Sequence, residues 1–274
     1  MLKKIAYATV FCTLLLALHV GQAKAFDYPP IPLLKLMPEE IACHKYGESF
    51  NVSVWLMGED HLGLDSLWDI AGFDLYIYFD PSYVNAVSAS IDPDSWWSSF
   101  WPGGTFMVTN QIDNNVGTVH VAFLGLQSAQ GYHEAVNGTG RILNIDFVVI
   151  AVNVTSQAGI EIAISNGATD LVGFPHPERP YPPWGFPGPP WGGEIPELII
   201  PHAVENSTFY FSPSGDVNFD GTVNIQDVII MASMYGSREG EPDWHVSADI
   251  AAPYGKVDIL DLVTCTGHYG EKYP

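Results

Sequence analysis

The chain has 274 residues, of which 31 are Asp or Glu and 10 are Lys or Arg, giving a formal net charge of −21. That sign repels phosphate backbones and anionic lipid, so it excludes nucleic acid and membrane surfaces as favoured partners and favours divalent cations. With 47% apolar and 13% aromatic residues, the chain is not compositionally disordered and can supply one full-sized core and a smaller one.

Met1, Leu2, Lys3 and Lys4 precede an apolar run from Ile5 to Val20 and then Ala23-Lys24-Ala25. This is the layout of a secretory signal peptide, so residues 1–25 are expected to be removed and the remainder to be secreted, extracellular or at the cell surface. The run is shorter than the ~20 apolar residues a spanning helix needs. No membrane span is expected later either, because the apolar stretch from Ile142 to Val154 is broken by Asn144, Asp146 and Asn153. After cleavage only Cys43 and Cys265 remain. Two lone cysteines in a large chain are more often buried and unpaired than bridged, although an oxidising compartment permits a bridge. The triplets at Asn51, Asn137, Asn153 and Asn206 have the form of glycan acceptors.

From Gly47 to Phe211 the apolar pattern has period two. Phe50, Val52, Val54 and Leu56 alternate with Asn51, Ser53 and Trp55, and Phe73, Leu75, Ile77 and Phe79 with Asp74, Tyr76 and Tyr78. Further strands are predicted at Thr118 to Leu124, Ile142 to Val152, Ile160 to Ile164, Leu198 to Pro201 and Ser207 to Phe211. Gly, Asn, Asp and Pro clusters separate them. Many short strands without a long helical pattern predict a mainly β fold, an antiparallel sandwich or jelly roll over residues 26–212. The insert 174–193, FPHPERPYPPWGFPGPPWGG, is too rich in proline to donate a ladder of hydrogen bonds and reads as an extended surface excursion. Its Trp184 and Trp191, and the cluster Trp96, Trp97, Phe100 and Trp101, are either packed aromatics or a contact surface.

After Pro213 the pattern changes. Gly215 to Tyr235, GDVNFDGTVNIQDVIIMASMY, and Ala248 to Tyr269, ADIAAPYGKVDILDLVTCTGHY, are imperfect repeats of one loop-helix unit. Two such units can bury their apolar helical faces against each other, which predicts a small all-α module over residues 213–274. In the first loop Asp216, Asn218, Asp220, Gly221, Thr222, Asn224 and Asp227 stand at positions 1, 3, 5, 6, 7, 9 and 12 of an EF-hand-type loop. Calcium takes six to eight hard oxygens, so short carboxylates and amides at alternate positions converge on it, Thr222 offers its backbone carbonyl, and Gly221 permits the sharp turn. In the second loop Asp249, Gly255, Asp258 and Asp261 survive. Ala252 and Tyr254 replace the oxygen ligands of positions 3 and 5, and the loop is one residue too long. Counting back from Asp261 makes Asp258 position 9 and Ile250 position 1, so Asp249 serves only if an extra residue bulges.

The doubled G-D-V-N-x-D-G-x-V-[ND]-x-x-D loop with its following helix resembles a dockerin, over about residues 213 to 272. Its calcium ligands would be Asp216, Asn218, Asp220, Thr222, Asn224 and Asp227, with Asp249, Asp258 and Asp261 in the second loop. The resemblance also implies contacts to a cohesin through Ile225, Gln226, Ala232 and Ser233, and through Ile259, Leu260, Thr266 and Gly267. The order G-x-x-F-x-V-x-V (Gly47–Val54), A-G-F-D-L-Y-I-Y-F-D-P (Ala71–Pro81) and G-T-G-R-I-L-N-I-D-F (Gly138–Phe147) resembles a cohesin domain, a jelly-roll sandwich, over about residues 30 to 212. The resemblances imply dockerin- or cohesin-bearing partners, this chain itself among them, and a link to polysaccharide binding or degradation.

No G-x-S-x-G elbow, H-E-x-x-H pair, Walker loop or Cys-His motif occurs, and His61, His120 and His133 are isolated in sequence, so the expectation is a non-catalytic interaction protein. The alternative is a carbohydrate-binding sandwich carried by a dockerin, with Trp96, Trp97, Trp184 or Trp191 as exposed stacking platforms. A small polysaccharide-active enzyme would instead require two carboxylates about 5 to 9.5 Å apart in a groove.

Overall fold

Side-chain alternation decides which residues enter the core. In the computed structural model Val52, Val54 and Leu56 of one strand, and Phe73, Leu75 and Ile77 of another, are buried on one face, with Phe79 following them. The structure describes residues 32–57, 69–91, 96–99, 101, 104–126, 139–151, 153–174, 198–200 and 202–273. The signal peptide, His61, His133, Asn137, Phe100, the proline-rich insert beyond Phe174 with Trp184 and Trp191, and the side chain of Trp96 lie outside the described residues.

The strands are β1 (Leu33–Met37), β2 (Glu40–Cys43), β3 (Ser49–Met57), β4 (Asp69–Tyr78), β5 (Val84–Ser90), β6 (Thr105–Asp113) and β7 (Thr118–Gly125). They continue with β8 (Gly140–Val149), β9 (Ile160–Ile164), β10 (Asp170–Phe174), β11 (Leu198–Ile200), β12 (Ala203–Glu205) and β13 (Ser207–Phe211). One sheet runs β12-β1-β3-β8-β5. The other runs β11-β10-β4-β9-β13-β2, with β7 also on β4 and β6 on β7. The fold is thus mainly β, a two-sheet sandwich. Phe147 sits between the sheets, stacked on Phe50 at 5.4 Å and edge-on to Phe79 at 5.3 Å.

Two pairings depart from the antiparallel pattern, because β1 pairs with β12, and β13 with β2, in parallel. Both pairs arise because the chain changes sheets twice side by side, from β1 to β2 and from β12 to β13. Ser207 Oγ, donating to Pro38 O at 2.6 Å, ties the two crossings together. The short helix α1 (Trp96–Ser99) carries Trp97 into the core, fully buried against Phe73 at 4.7 Å and Phe123 at 5.6 Å. Trp97 is therefore no exposed platform, and Trp101 is buried beside it.

Beyond Pro213 a second, smaller core forms from Val217, Val223, Met231, Ala248, Ile250, Val257 and Cys265. It is closed by helices α2 (Ile225–Ser233) and α3 (Ile259–Gly267) and preceded in its second half by a 3-10 turn at Val246–Ala248. Ile31–Pro274 forms one compact unit. Cys43 and Cys265 are buried free thiols. Burial raises both above the usual thiol range, Cys265 to about 11, so neither is an activated nucleophile. Among the described residues no helix is long and apolar enough to cross a membrane.

Candidate metal centre

Each repeat begins its helix with the same device. Asn224 caps α2 and Asp258 caps α3, and each shares a reciprocal capping box with the carboxylate three residues on, Asp227 or Asp261. Asp227 is fully buried. One oxygen accepts from Val217 N at 3.0 Å and Asn218 N at 3.2 Å, the other from Asn224 N at 2.8 Å. Asp261 is its counterpart, accepting from Ile250 N and Ala251 N at 2.8 Å and from Asp258 N at 2.7 Å. At the loop entrance Asp216 accepts from Asp220 N at 3.1 Å and Gly221 N at 2.9 Å. Asp249 accepts from Gly255 N at 2.5 Å.

These hydrogen bonds align the two loops residue by residue. Asp249 stands where Asp216 stands, and Ala251, not Ala252, where Asn218 stands. The extra residue falls within Ala252-Pro253-Tyr254, so Asp249 regains the first position that a count back from Asp261 assigns to Ile250. The exits match too: Val223 pairs with the C-terminal segment through Glu271 O and Gly270 N, and Val257 pairs with Gly236 N and Ser237 O. Gly221 (φ +79°) and Gly255 (φ +97°) take the left-handed turn at equivalent places.

The remaining first-loop residues are held in a tight circuit. Asn218 donates to Asp220 at 2.9 Å, Asp220 accepts from Thr222 N at 2.9 Å, and Asn224 donates to Thr222 O at 3.0 Å. Among the described residues no three His, Cys, Asp or Glu side chains are gathered closely enough to hold an ion by themselves. Further oxygens in this loop belong to Asn218, Asn224 and the Thr222 carbonyl. The donor set nevertheless fits a hard dication. Asp216 is fully buried, and burial raises its pKa, with Asp227 and Asp220 pushing the same way. Burial likewise raises Asp249, with Asp261 and Asp258 adding to it, and Asp249 Oδ1 is buried without a hydrogen-bond partner among the described residues. A buried carboxylate oxygen in that state is costly unless a cation meets it.

The outer faces of both helices are apolar and exposed. Ile225, Ile229, Ile259 and Val263 each keep more than half of their surface in solvent and Leu260 nearly half; Gln226, Ala232, Ser233, Thr266 and Gly267 are exposed around them. The inner faces send Met231 and Cys265 into the small core.

Other residues enter only through tertiary structure. His120, isolated in sequence, meets Asp74 across β7 and β4 at 2.7 Å and stacks on Tyr76. Gln157 Nε2 donates to Asn218 O at 3.1 Å, Ser212 Oγ donates to Asp216 O, and Tyr210 packs on Phe219. The aromatic Phe219 between two candidate ligands was the only sequence signal for this junction.

No family model matches the chain, and no curated protein matches it. Among solved structures the chain is similar to a type II cohesin domain from the cellulosome of Acetivibrio cellulolyticus, at 13% identity and TM-score 0.40, covering 65% of this chain and 95% of that one. It is also similar to the sixth cohesin of scaffoldin B of the same organism, solved with a Cel5 dockerin, at 15% identity and TM-score 0.39, covering 67% and 100%. A non-cellulosomal cohesin from the archaeon Archaeoglobus fulgidus matches at 11% identity and TM-score 0.37, covering 67% and 92%.

Proposed function

We propose that the protein is a secreted, calcium-binding, non-catalytic assembly protein, with a cohesin-like sandwich and a dockerin-like C-terminal module as its two contact surfaces. The observation that carries this reading is the duplicated loop-helix unit: two capping boxes, two buried first-position aspartates, and two helices that leave apolar residues in solvent. Groups such as Ile225, Ile229, Ile259 and Val263, exposed on helices whose opposite faces already fill a core, suit contact with another protein. The partner is a cohesin-bearing chain for the helices and a dockerin-bearing chain for the sandwich, and a second copy of this chain offers both. The carbohydrate-binding alternative loses Trp97 as a platform because that ring is in the core.

Calcium would supply the counter-charge for Asp216, Asp220 and Asp227, with Asn218, Asn224 and the Thr222 carbonyl completing its oxygens, and Asp249, Asp258 and Asp261 would serve the second loop. Calorimetric calcium titration of residues 26–274 tests the assignment. The wild type takes up calcium, and Asp220→Ala weakens the tighter site by at least about tenfold, because ligand number and charge set affinity in such loops. Equal uptake by the variant would sink it.

A further inference from the structure

Among the described residues the sandwich touches the first loop through two hydrogen bonds to the loop backbone and one ring contact. Gln157, in the turn before β9, donates to the carbonyl of Asn218 at 3.1 Å, and Ser212, just after β13, donates to the carbonyl of Asp216. Between those two carbonyls' residues and Asp220 lies Phe219, the one non-glycine described residue with positive φ, at +60°. That conformation is uncommon for a bulky side chain and persists only where the surroundings hold it.

Here they do so with rings. Phe219 lies 5.9 Å from Tyr210 of β13 and 6.3 Å from His245, and Tyr210 and His245 meet edge-on at 5.0 Å. The three rings come from three sources: the sandwich, the first loop, and the segment entering the second loop. His245 caps the 3-10 turn Val246–Ala248 by accepting from Ser247 N, and that turn ends at Asp249. The small core of the C-terminal module contains few large side chains. A module of about 60 residues with such a core is marginal without an external support.

We propose that the sandwich is a working part of the first calcium site: the Tyr210–Phe219–His245 ring cluster, with Gln157 and Ser212, holds the loop in its ligating conformation. Calcium uptake and the seating of the helical module on the sandwich are then one coupled equilibrium. This rests on the calcium reading above and extends it. The exposed faces of α2 and α3 are presented in a fixed direction only while the loop is filled.

The test uses residues 26–274 throughout, with calcium as the probe. Phe219→Asn keeps a residue that tolerates the left-handed region but removes the ring, and Tyr210→Ala removes the sandwich side of the contact. Tyr210→Phe keeps a ring. Calcium affinity falls about two- to tenfold in Phe219→Asn and in Tyr210→Ala, as loss of one aromatic contact predicts. The double variant loses no more than the worse single one, and Tyr210→Phe matches wild type. The thermal transition of the sandwich, followed by near-ultraviolet circular dichroism, rises with calcium in wild type and Tyr210→Phe and rises less in Phe219→Asn. Wild-type uptake with unchanged affinity in both ring-deleting variants would overturn the coupling alone. Absence of uptake by wild type would overturn the calcium reading together with it.

Discussion

The candidate ligands of the first loop are legible one by one, because each position of a calcium loop demands a short oxygen side chain, a glycine or a bare carbonyl, and Asp216 to Asp227 meet every demand. What spacing did not give was the structural duty of Asp227. It accepts three backbone N–H groups and joins the capping box of α2, a role independent of any cation. Asp227→Ala should therefore destabilise the C-terminal module by ~2–4 kcal/mol even in chelator, the sum expected for a lost cap and stranded buried donors. Chemical denaturation followed at the helical signal would read this; an effect seen only with calcium present would contradict it. The second loop was misregistered by one residue for a related reason. Counting presumes a fixed loop length, whereas the hydrogen bonds of Asp249 and Asp261 fix both ends and let the middle expand.

At the scale of elements, β3, β4, β7, β8, β9, β11 and β13 were read from the sequence, whereas β1, β2, β5, β6, β10 and β12 were not. β3, β4 and β8 alternate over most of their length because a sheet packs on one side of each, whereas β6 exposes Phe106, Met107 and Val108 and has no periodic signature. It is held by pairing with β7 and by Asn110 and Asn114, which bond to the backbone of β5. Beside this hairpin Gly125 leaves room for the indole of Trp101, and a Cβ there would lie 1.9 Å from Trp101 Cδ2. Gly125→Ala should expel that indole, destabilising the sandwich by ~1–3 kcal/mol, the usual range for overpacking. Tryptophan emission of the folded variant would lie to the red of wild type; a wild-type spectrum and melting temperature would show that the ring has space to move.

For the whole molecule the junction between sandwich and helical module carries two histidines. His44 makes a 2.5 Å hydrogen bond with Ser212 O, and His245 sits in the ring cluster. Burial lowers the pKa of both; Glu48 and Ser212 O oppose it at His44, where Lys45 assists, and Glu40 opposes it at His245. Because the folded values lie below the unfolded ones, their contribution to stability is complete above the ordinary histidine value of about 6.5 and is lost as pH falls through the folded values. Melting temperature should thus drop between about pH 7 and pH 5.5, and less so in a His44→Gln, His245→Gln double variant, since removing the histidines removes their titration from this window. Identical pH profiles would exclude them as the cause.

By itself the sequence determined the alternating strands of a mainly β sandwich and the doubled loop-helix unit after Pro213, and it marked the candidate oxygen ligands of the first loop. All of these follow from local periodicity or fixed spacing along a few residues. Tertiary structure alone decided the paired sheet crossings at Met37–Glu40 and Glu205–Ser207, the burial of Trp97, the true register of the second loop, and the clamp of Tyr210, Gln157 and Ser212 on the first. Those features join residues up to 169 positions apart, as in the Ser207–Pro38 bond. They depend on which surfaces exclude water together, a property of the folded chain that no short stretch of sequence contains.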